Sequence, residues 1–435
     1  MSVRHCVFPW HWALITNDGD VLPCSHGAAA VGNLRDNTIE EIWNGPLIQE
    51  VRGCLLKGEV HRVCRSAECP FQREHPAFPE RTEPLFVEES LARAFDEDWY
   101  LATYWEVRLA VFERRFTSGL EHYIRHGRQL GMRYRLKVGI SEPPGDGLLK
   151  RCWSFLTGRW RIAPRPAPIE NGALGLLDYA QGRTVLRAKP ADLILVVTTI
   201  CNLRCVMCPH GMRLVENPRP MPVELLERAR PYLDTASRMI VSGLGEPTMA
   251  ASFWWIIEHV RDRTDLFIRA NSNGHFLTPE KAGRILNSGL KEISFSLDAA
   301  NPETYAKIRG GDFQRALAGI ATLLEARVAR PERTMTVYIN MTLMRENLAE
   351  AADFVRLGHR IGADGVVFTQ LFTFGDRPDW RVDRPDWTFV YSEQMIGRVP
   401  AEARQHLLAA KKCSDEIGMP IHLRDNVESY LPSSS

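Results

Sequence analysis

The chain has 435 residues, of which 45% are hydrophobic and 25% charged, as in soluble globular proteins of two or three domains. Its 54 basic and 53 acidic side chains give a formal net charge of +1, which gives no reason to expect nucleic acid or an anionic membrane as a partner. No apolar run is long enough to span a bilayer, so we expect a cytoplasmic protein.

The ten cysteines are unevenly distributed, and in a cytoplasmic chain they favour metal ligation over disulfides. Cys201, Cys205 and Cys208 fall within eight residues, and only Cys152 and Cys413 stand alone. Two groups about 130 residues apart predict two separate metal sites. The other group lies within the first 70 residues and comprises Cys6, Cys24, Cys54, Cys64 and Cys69.

The N-terminal segment, residues 1–80, predicts a small domain. An Asp18-Gly19 turn between apolar runs indicates a hairpin over Trp12–Leu22. A short helix follows at Thr38–Trp43, with Asn37 as the expected N-cap. The charged, proline-containing stretch Arg73–Pro84 is typical of a linker.

The next segment, residues 81–184, predicts a mainly helical connector with helices near Ser90–Phe95 and Tyr104–Phe116. Residues 185–435 alternate strand and helix patterns, which implies a parallel sheet, either open or partly closed into a barrel. The predicted strands are Leu193–Thr198, Met239–Val241, Leu266–Arg269, Glu292–Leu297, Thr334–Thr342 and Gly365–Phe368. The predicted helices are Pro222–Leu233, Pro279–Ser288, Pro302–Ile308, Arg315–Ala326 and Leu348–Ile361.

A CxxxCxxC loop, Cys201 to Cys208, follows the first of these strands directly. Three thiolates on one loop can bind three irons of a [4Fe–4S] cluster and leave the fourth iron open, whereas most electron carriers use four cysteines. The alternatives are unrelated core thiols or a zinc site, for which His210 is the nearest additional ligand.

With this loop the chain resembles the radical S-adenosylmethionine (SAM) superfamily, over roughly residues 190–425. The resemblance implies a partial (β/α)6 TIM-like barrel with a C-terminal helical extension. It further implies that SAM chelates the open iron through its amino and carboxylate groups. Reductive cleavage would then yield a 5′-deoxyadenosyl radical that abstracts hydrogen from a substrate.

The resemblance also implies a set of SAM-binding residues. Gly243, Gly245 and Glu246 resemble the family's glycine-glycine-glutamate loop, in which the glutamate receives the methionine amino group; Leu244 replaces the first glycine. A plain strand-to-helix turn is the alternative. Arg309 is similar to a family arginine that pairs with the methionine carboxylate, and a surface salt bridge is its alternative.

Further cofactor-binding candidates follow successive strands. Strand alternation predicts that Ser294, Ser296 and Asp298 share one face, which would suit the ribose hydroxyls and carboxylate of SAM. Met207 stands where the family often has an aromatic residue against the adenine, and a thioether also packs well there. The remaining candidates are the polar residues Asn271, Asn273, Asn340 and Gln370; for Asn340 and Gln370 the alternative is an ordinary polar strand residue.

The N-terminal cysteines resemble the SPASM domain, an auxiliary iron–sulfur module. Cys6, Cys24, Cys64 and Cys69 would fill all four positions of one auxiliary [4Fe–4S] cluster, for electron transfer or architecture. Cys54 is expected to be a buried thiol, and a zinc ribbon is the alternative for the group. Because this module normally follows the barrel, it would dock on its own barrel, on a second subunit, or on another partner.

These features predict a radical SAM enzyme that acts on a peptide or protein side chain or on a small metabolite. Sugar or aminoglycoside metabolism, by a dehydrogenase, epimerase or dehydratase, is one alternative; a non-catalytic iron–sulfur electron-transfer or scaffold protein is another. The expected electron donor is an external flavodoxin or ferredoxin. The sequence assigns no residue to the chemistry on the substrate itself.

Overall fold

The fold of this computed structural model is built around one long sheet with helices between its strands. The strands are β1 (Trp12–Ile15), β2 (Asp20–Leu22), β3 (Gly32–Asn33), β4 (Asp192–Val196), β5 (Arg238–Ser242), β6 (Phe267–Ser272), β7 (Glu292–Ser296), β8 (Thr336–Leu343), β9 (Gly365–Gln370), β10 (Arg381–Arg384), β11 (Trp387–Val390) and β12 (Ile421–Leu423). The α-helices are α1 (Phe8–His11), α2 (Ile39–Trp43), α3 (Pro46–Leu56), α4 (Val223–Leu233), α5 (Ala251–His259), α6 (Pro279–Leu286), α7 (Pro302–Arg309), α8 (Phe313–Val328), α9 (Ala351–Ile361), α10 (Tyr391–Gln394) and α11 (Pro400–Ile417). The structure describes residues 6–25, 27–64, 69, 100, 107, 171–172, 174–175, 178–179, 181–330, 335–371, 380–424 and 427–431.

Six parallel strands, β4 to β9, form the centre of the sheet, and each pairs with the next one along the chain. At least one α-helix lies between every two consecutive strands of this set. This is the partial (β/α)6 TIM-like barrel that the sequence predicts, with β12 added in parallel to β9. Because the six strands point the same way, their carboxyl ends lie at one edge, where such sheets carry their functional groups.

Strand β8 illustrates how each strand presents two different faces. Its residues alternate between half-buried and buried along its whole length. Ile339 is fully buried and belongs to the same core as Phe354 of α9, whereas the neighbouring Asn340 is only partly covered. The apolar face therefore packs under the helices, and the polar face lines the interior of the open barrel.

Helix α5 was not among the predicted helices. Its central residues Phe253, Trp254, Ile256 and Ile257 are all buried, so the segment is apolar on nearly every side. Amphipathic periodicity is the signal that reveals a surface helix, and a helix covered on most sides lacks it.

The N-terminal module extends the barrel sheet within the same chain. Strand β1 pairs in parallel with β4 from Trp12 opposite Asp192 to Ile15 opposite Leu195. The predicted hairpin is present, with β1 antiparallel to β2 and Gly19 in the turn at a φ of 90°. Of the three arrangements that the sequence left open, the structure adopts docking on the chain's own barrel.

Buried side chains join the module to the segment that precedes β4. The Trp43 Nε1 donates to the Ala188 carbonyl at 3.0 Å. The buried Arg52 donates to the carbonyls of Pro9 at 2.9 Å and Thr184 at 2.8 Å, and its guanidinium lies 4.7 Å from the Trp43 ring centroid. These long-range contacts fix the module against the edge of the barrel.

One cap prediction was wrong. Helix α2 is capped by Thr38 instead of Asn37, because Thr38 and Glu41 form a reciprocal capping box. The predicted linker Arg73–Pro84, the helix Ser90–Phe95 and, except for Val107, the helix Tyr104–Phe116 lie outside the described residues. Among the helices that the structure describes, none is long and apolar enough to cross a membrane.

Candidate functional site

The cysteine loop begins where β4 ends and is held by the loop after β5. The Gly245 N–H donates to the Thr198 carbonyl at 3.1 Å, and the Glu246 N–H donates to the Ile200 carbonyl at 2.8 Å. A Cβ on Gly245 would lie 2.3 Å from the Ile200 carbonyl oxygen, and one on Gly243 would lie 2.6 Å from that of Thr198. Glycine is therefore required at both positions by the chain's own backbone.

Cys201, Cys205 and Cys208 lie together on this loop. The Cys208 N–H donates to the Cys205 carbonyl at 3.0 Å, and the Leu203 N–H donates to the Cys201 Sγ at 3.4 Å. Burial raises the pKa of all three thiols, that of Cys205 to about 12, while the nearby Arg309 cation lowers the pKa of each. A cation beside three thiols favours the thiolate form that binds iron.

Within the described ranges, no three His, Cys, Asp or Glu side chains converge closely enough to hold one metal ion. An iron–sulfur cluster makes a different demand, because each cysteine binds its own iron and the ligands are spread around the cubane.

Glu246 is buried and collects four donors from three residues. Its Oε1 accepts from Thr248 Oγ1 at 2.7 Å, Ser272 Oγ at 2.8 Å and the Thr248 N–H at 3.2 Å. Its Oε2 accepts only from the Asn273 N–H, at 2.7 Å. No cation pairs with this carboxylate among the described residues, so one oxygen can still accept from a cationic group.

Arg309 and Asp298 form a buried ion pair, so Arg309 does not make the surface salt bridge that was its alternative. Arg309 NH1 donates to Asp298 Oδ2 at 2.8 Å, and the other carboxylate oxygen accepts from the Thr342 N–H at 2.7 Å. Asp298 follows β7 with a φ of 58°, so the strand alternation that relates Ser294 to Ser296 does not extend to it.

Strand register shows which of the other candidates share a face. Asn271 stands opposite Ser294, and Ser296 stands opposite Asn340, so both pairs line the barrel interior. Gln370 is opposite the fully buried Leu343 instead. The register therefore places Gln370 on the other face of the sheet from Asn340.

Met207 lies within the cysteine loop, and Asn273, just after β6, contacts this loop from outside. Met207 is buried in a second apolar cluster that includes Leu203, Cys205 and residues of the β10–β11 hairpin. The Asn273 Nδ2 donates to the Asn202 Oδ1 at 2.8 Å. The strand ends thus brace the cysteine loop as well as facing the barrel mouth.

Several of these bracing residues carry no sequence signal. Ser272 and Thr248 bind Glu246, and Asn347 donates to the Asp298 carbonyl at 2.9 Å. The β10–β11 hairpin contacts the loop through Arg384 NH2, which donates to the Arg204 carbonyl at 2.6 Å. Only their partners in the folded chain reveal these residues.

The second cysteine group lies near the amino ends of the parallel strands, whereas the cysteine loop lies at their carboxyl ends. The charges of Cys24, Cys64 and Cys69 all act on Cys6, whose pKa is raised by burial and by those neighbours. Cys54 also acts on Cys64, whose pKa burial raises to about 12. Cys6 precedes α1 and β1, and Cys24 follows the antiparallel β2, so the group lies at the amino end of β4.

Two family models match the chain. The model of the Radical SAM superfamily matches residues 195–358, and that of the SPASM iron–sulfur cluster-binding domain matches residues 6–70. The chain carries a radical SAM domain and a SPASM domain. A radical SAM domain implies a [4Fe–4S] cluster and SAM as cofactors, and the SPASM domain suggests a further cluster.

Curated relatives match this chain over less than half of its length. The mycofactocin maturase MftC of Mycobacterium tuberculosis is 31% identical over 180 residues, which are 40% of this chain and 43% of MftC. An AdoMet-dependent heme synthase of Methanosarcina barkeri is 32% identical over 38% of this chain and 46% of its own length. Among solved structures, Streptococcus suis SuiB has a TM-score of 0.43 at 12% identity, over 63% of this chain and 59% of that one.

The radical SAM domain has residues of the kinds that these cofactors require. Three neighbouring cysteines can ligate iron, the buried Glu246 has no counter-cation among the described residues, and the buried Arg309 keeps its Nε unpaired. A zwitterionic amino acid moiety would satisfy both side chains, because it presents an ammonium and a carboxylate group. This chemistry fits SAM beside a three-cysteine cluster.

Proposed function

We propose that this chain is a radical SAM enzyme whose site-differentiated cluster is bound by Cys201, Cys205 and Cys208. A bound [4Fe–4S] cluster supplies the electron that cleaves SAM into methionine and a 5′-deoxyadenosyl radical. The observation that carries the proposal is the position of the three cysteines at the carboxyl end of β4, where the charges of both Glu246 and Arg309 act on Cys201. An electron carrier has no use for such a pair of buried opposite charges beside an open iron.

The proposed roles follow from the geometry of each residue. Glu246 Oε2 accepts from the methionine ammonium, and Arg309, held by Asp298, donates to the methionine carboxylate. Gly243 and Gly245 keep the β5 loop close to the cysteine loop, and Met207 packs against the adenine. The polar interior residues Asn271, Ser294, Ser296 and Asn340 contact the ribose or the substrate.

For the substrate, we propose a peptide or protein side chain. The match to a maturase and the SPASM module support this class. The match to heme synthases makes a small metabolite the second candidate, alongside a sugar or aminoglycoside. Assay of SAM cleavage with and without each substrate class separates them, because a true substrate receives deuterium from, or gives deuterium to, the 5′-deoxyadenosine.

For the auxiliary cluster, we propose Cys6, Cys24, Cys64 and Cys69 as ligands. The group lies at the amino end of β4 and the cysteine loop at its carboxyl end. The five residues of this strand, at about 3.3 Å each, separate the two by roughly 15 Å. The auxiliary cluster therefore does not touch a substrate at the barrel mouth, and it serves architecture or electron input from an external flavodoxin or ferredoxin. The proposed units are residues 1–80, 81–184 and 185–435.

A single anaerobic experiment tests the core of the proposal. Reconstituted protein is incubated with SAM and dithionite, and 5′-deoxyadenosine and methionine are quantified together with iron and sulfide. The proposal requires both products in equal amounts. Their absence from protein with a full iron content would favour the non-catalytic iron–sulfur protein instead.

A further inference from the structure

The β10–β11 hairpin packs against the cysteine loop although the two are far apart in the chain. The hairpin follows β9, the last of the six parallel strands, whereas the loop follows β4, the first. Val382 and Phe389 of the hairpin are buried in the same apolar cluster as Cys205 and Met207 of the loop. The hairpin therefore reaches from the last barrel strand to the loop after the first, and its apolar side chains cover that loop.

Two side chains at the tip of the hairpin hold it in place. Arg384 and Trp387 stand opposite each other in the register of β10 and β11, on either side of the turn. The Arg384 NH2 donates to the Arg204 carbonyl at 2.6 Å, and a Cβ on Gly310, which ends α7 at a φ of 68°, would lie 3.2 Å from the same nitrogen. The Lys307 Nζ of α7 lies 4.4 Å from the centroid of the Trp387 ring. The tip thus contacts both the cysteine loop and the end of α7.

The peptide groups on both sides of Cys205 are held from outside the loop. After Cys205, the Val206 N–H donates to the Ile308 carbonyl at 2.9 Å. Before it, the Arg204 carbonyl accepts from Arg384, and no backbone N–H among the described residues donates to this carbonyl. Because a peptide group is planar, restraining the groups before and after Cys205 restrains both of its backbone dihedral angles and hence the direction of its side chain.

We propose that Arg384 is a positioning residue, whose hydrogen bond to the Arg204 carbonyl orients Cys205 for the cluster and keeps the hairpin closed over the cysteine loop. The part that concerns the cluster rests on the proposed function. A guanidinium suits this task because it stays charged in proteins and presents its donors in a rigid plane. Without it, one peptide group beside Cys205 loses its restraint, and the loop opens more often.

Limited proteolysis of cluster-free protein tests the hydrogen bond itself. Arg204 is exposed, and trypsin cleaves at the carbonyl of an arginine, here the carbonyl that Arg384 holds. Arg384→Met removes the donors but keeps an apolar stem, so cleavage after Arg204 should become about tenfold faster, because the cleavage rate follows the population of the open loop. Arg381→Met is the matched control, since Arg381 is an exposed residue of the same strand that pairs with Asp383 within the hairpin. Its cleavage rate should equal that of the wild type.

Loss of the cluster from the reconstituted holoenzyme tests the consequence. The three-cysteine cluster is followed by the electron paramagnetic resonance signal that changes when SAM is added, and bathophenanthroline disulfonate is used to remove its iron. This loss should be about tenfold faster in Arg384→Met and unchanged in Arg381→Met.

Three results would overturn the inference. They are an unchanged rate of cleavage after Arg204 in Arg384→Met, an equal increase after Arg35 in the N-terminal module, and an unchanged rate of cluster loss. Wild-type protein without a cluster that responds to SAM would instead overturn the proposed function, while cleavage of the cluster-free protein would still decide whether Arg384 holds the loop.

Discussion

The two cysteine groups lie at opposite ends of strand β4 and in different electrostatic surroundings. At the carboxyl end, three cysteines share one loop, and a cation, Arg309 of α7, and a buried carboxylate, Glu246 after β5, act on it. At the amino end, four cysteines come from separate elements, and the causes acting on Cys6 are burial, a backbone hydrogen bond and other cysteines.

This difference separates an open site from a closed one. As proposed, three cysteines would leave one iron of the cluster free, and the charged Glu246 and Arg309 would bind a zwitterionic ligand. The four-cysteine group can satisfy all its irons from the protein and is built into the junction between the module and β4. The geometry therefore favours SAM cleavage at the three-cysteine loop and structural support or electron input at the four-cysteine group.

Removing one cysteine from either group should have the largest effect on SAM cleavage and iron content. Cys205→Ala should abolish 5′-deoxyadenosine formation, because the open cluster loses a ligand, while about four irons per chain remain. Cys24→Ala should also lose about four irons but still cleave SAM. Iron analysis and product quantification on the same samples check both.

The proposed division between the two groups is wrong if Cys24→Ala stops SAM cleavage although its three-cysteine cluster is spectroscopically intact. That result would mean that electrons must pass through the auxiliary cluster even when dithionite is the reductant.

Removing the aromatic anchor of the module should produce the next largest effect. Trp43→Ala loses a buried ring, its hydrogen bond to Ala188 and its contact with Arg52, and should cost about 3–5 kcal/mol in the free energy of unfolding. Urea unfolding at matched iron content measures it. Leu408→Ala on α11 is the control, since Leu408 is 39% exposed. A loss no larger than the control's would show that the module adds no stability to the barrel.

The barrel and the cysteine loop could be predicted from local sequence because their signals are local. Apolar runs marked β4 to β9, and CxxxCxxC spacing marked Cys201 to Cys208. The docking of β1 on β4 could not be predicted, since nothing in four residues of strand specifies a partner about 180 residues away.

Some residues of the candidate site could likewise be predicted from local sequence, and others could not. Glu246 and Arg309 stand in recognisable segments, but the donors around Glu246, such as Ser272 and Thr248, acquire their roles only through contacts in the folded chain. For Gln370 the sequence could not give the strand face, which follows only from the register of β9 against β8, where Gln370 stands opposite Leu343.

At the open site, loss of the Glu246 charge should weaken SAM binding by a smaller amount. Glu246→Gln removes the acceptor for the methionine ammonium, and a hydrogen bond to a charged group contributes about 1.5–3 kcal/mol. We therefore expect the Kd for SAM to rise at least tenfold in anaerobic equilibrium dialysis. Glu303→Gln, on the exposed side of α7, should leave it unchanged. Unaltered affinity in Glu246→Gln would remove the glutamate from the cofactor site.

The smallest expected effect is a pH dependence of the module–barrel junction through His11. Burial lowers the pKa of His11 below its usual 6.5, although Asp192, 3.6 Å away, partly opposes this. Between about pH 6.5 and the lower folded value, the unfolded chain binds the proton and the folded chain does not, so stability falls as the pH falls. Wild type should lose up to about 1.4 kcal/mol per pH unit in this window relative to His11→Gln, as measured by urea unfolding at about pH 7.5 and pH 5.5. Identical pH slopes in the two proteins would mean that acid acts elsewhere, at the open site or on the other buried histidines, and that the junction is insensitive to pH.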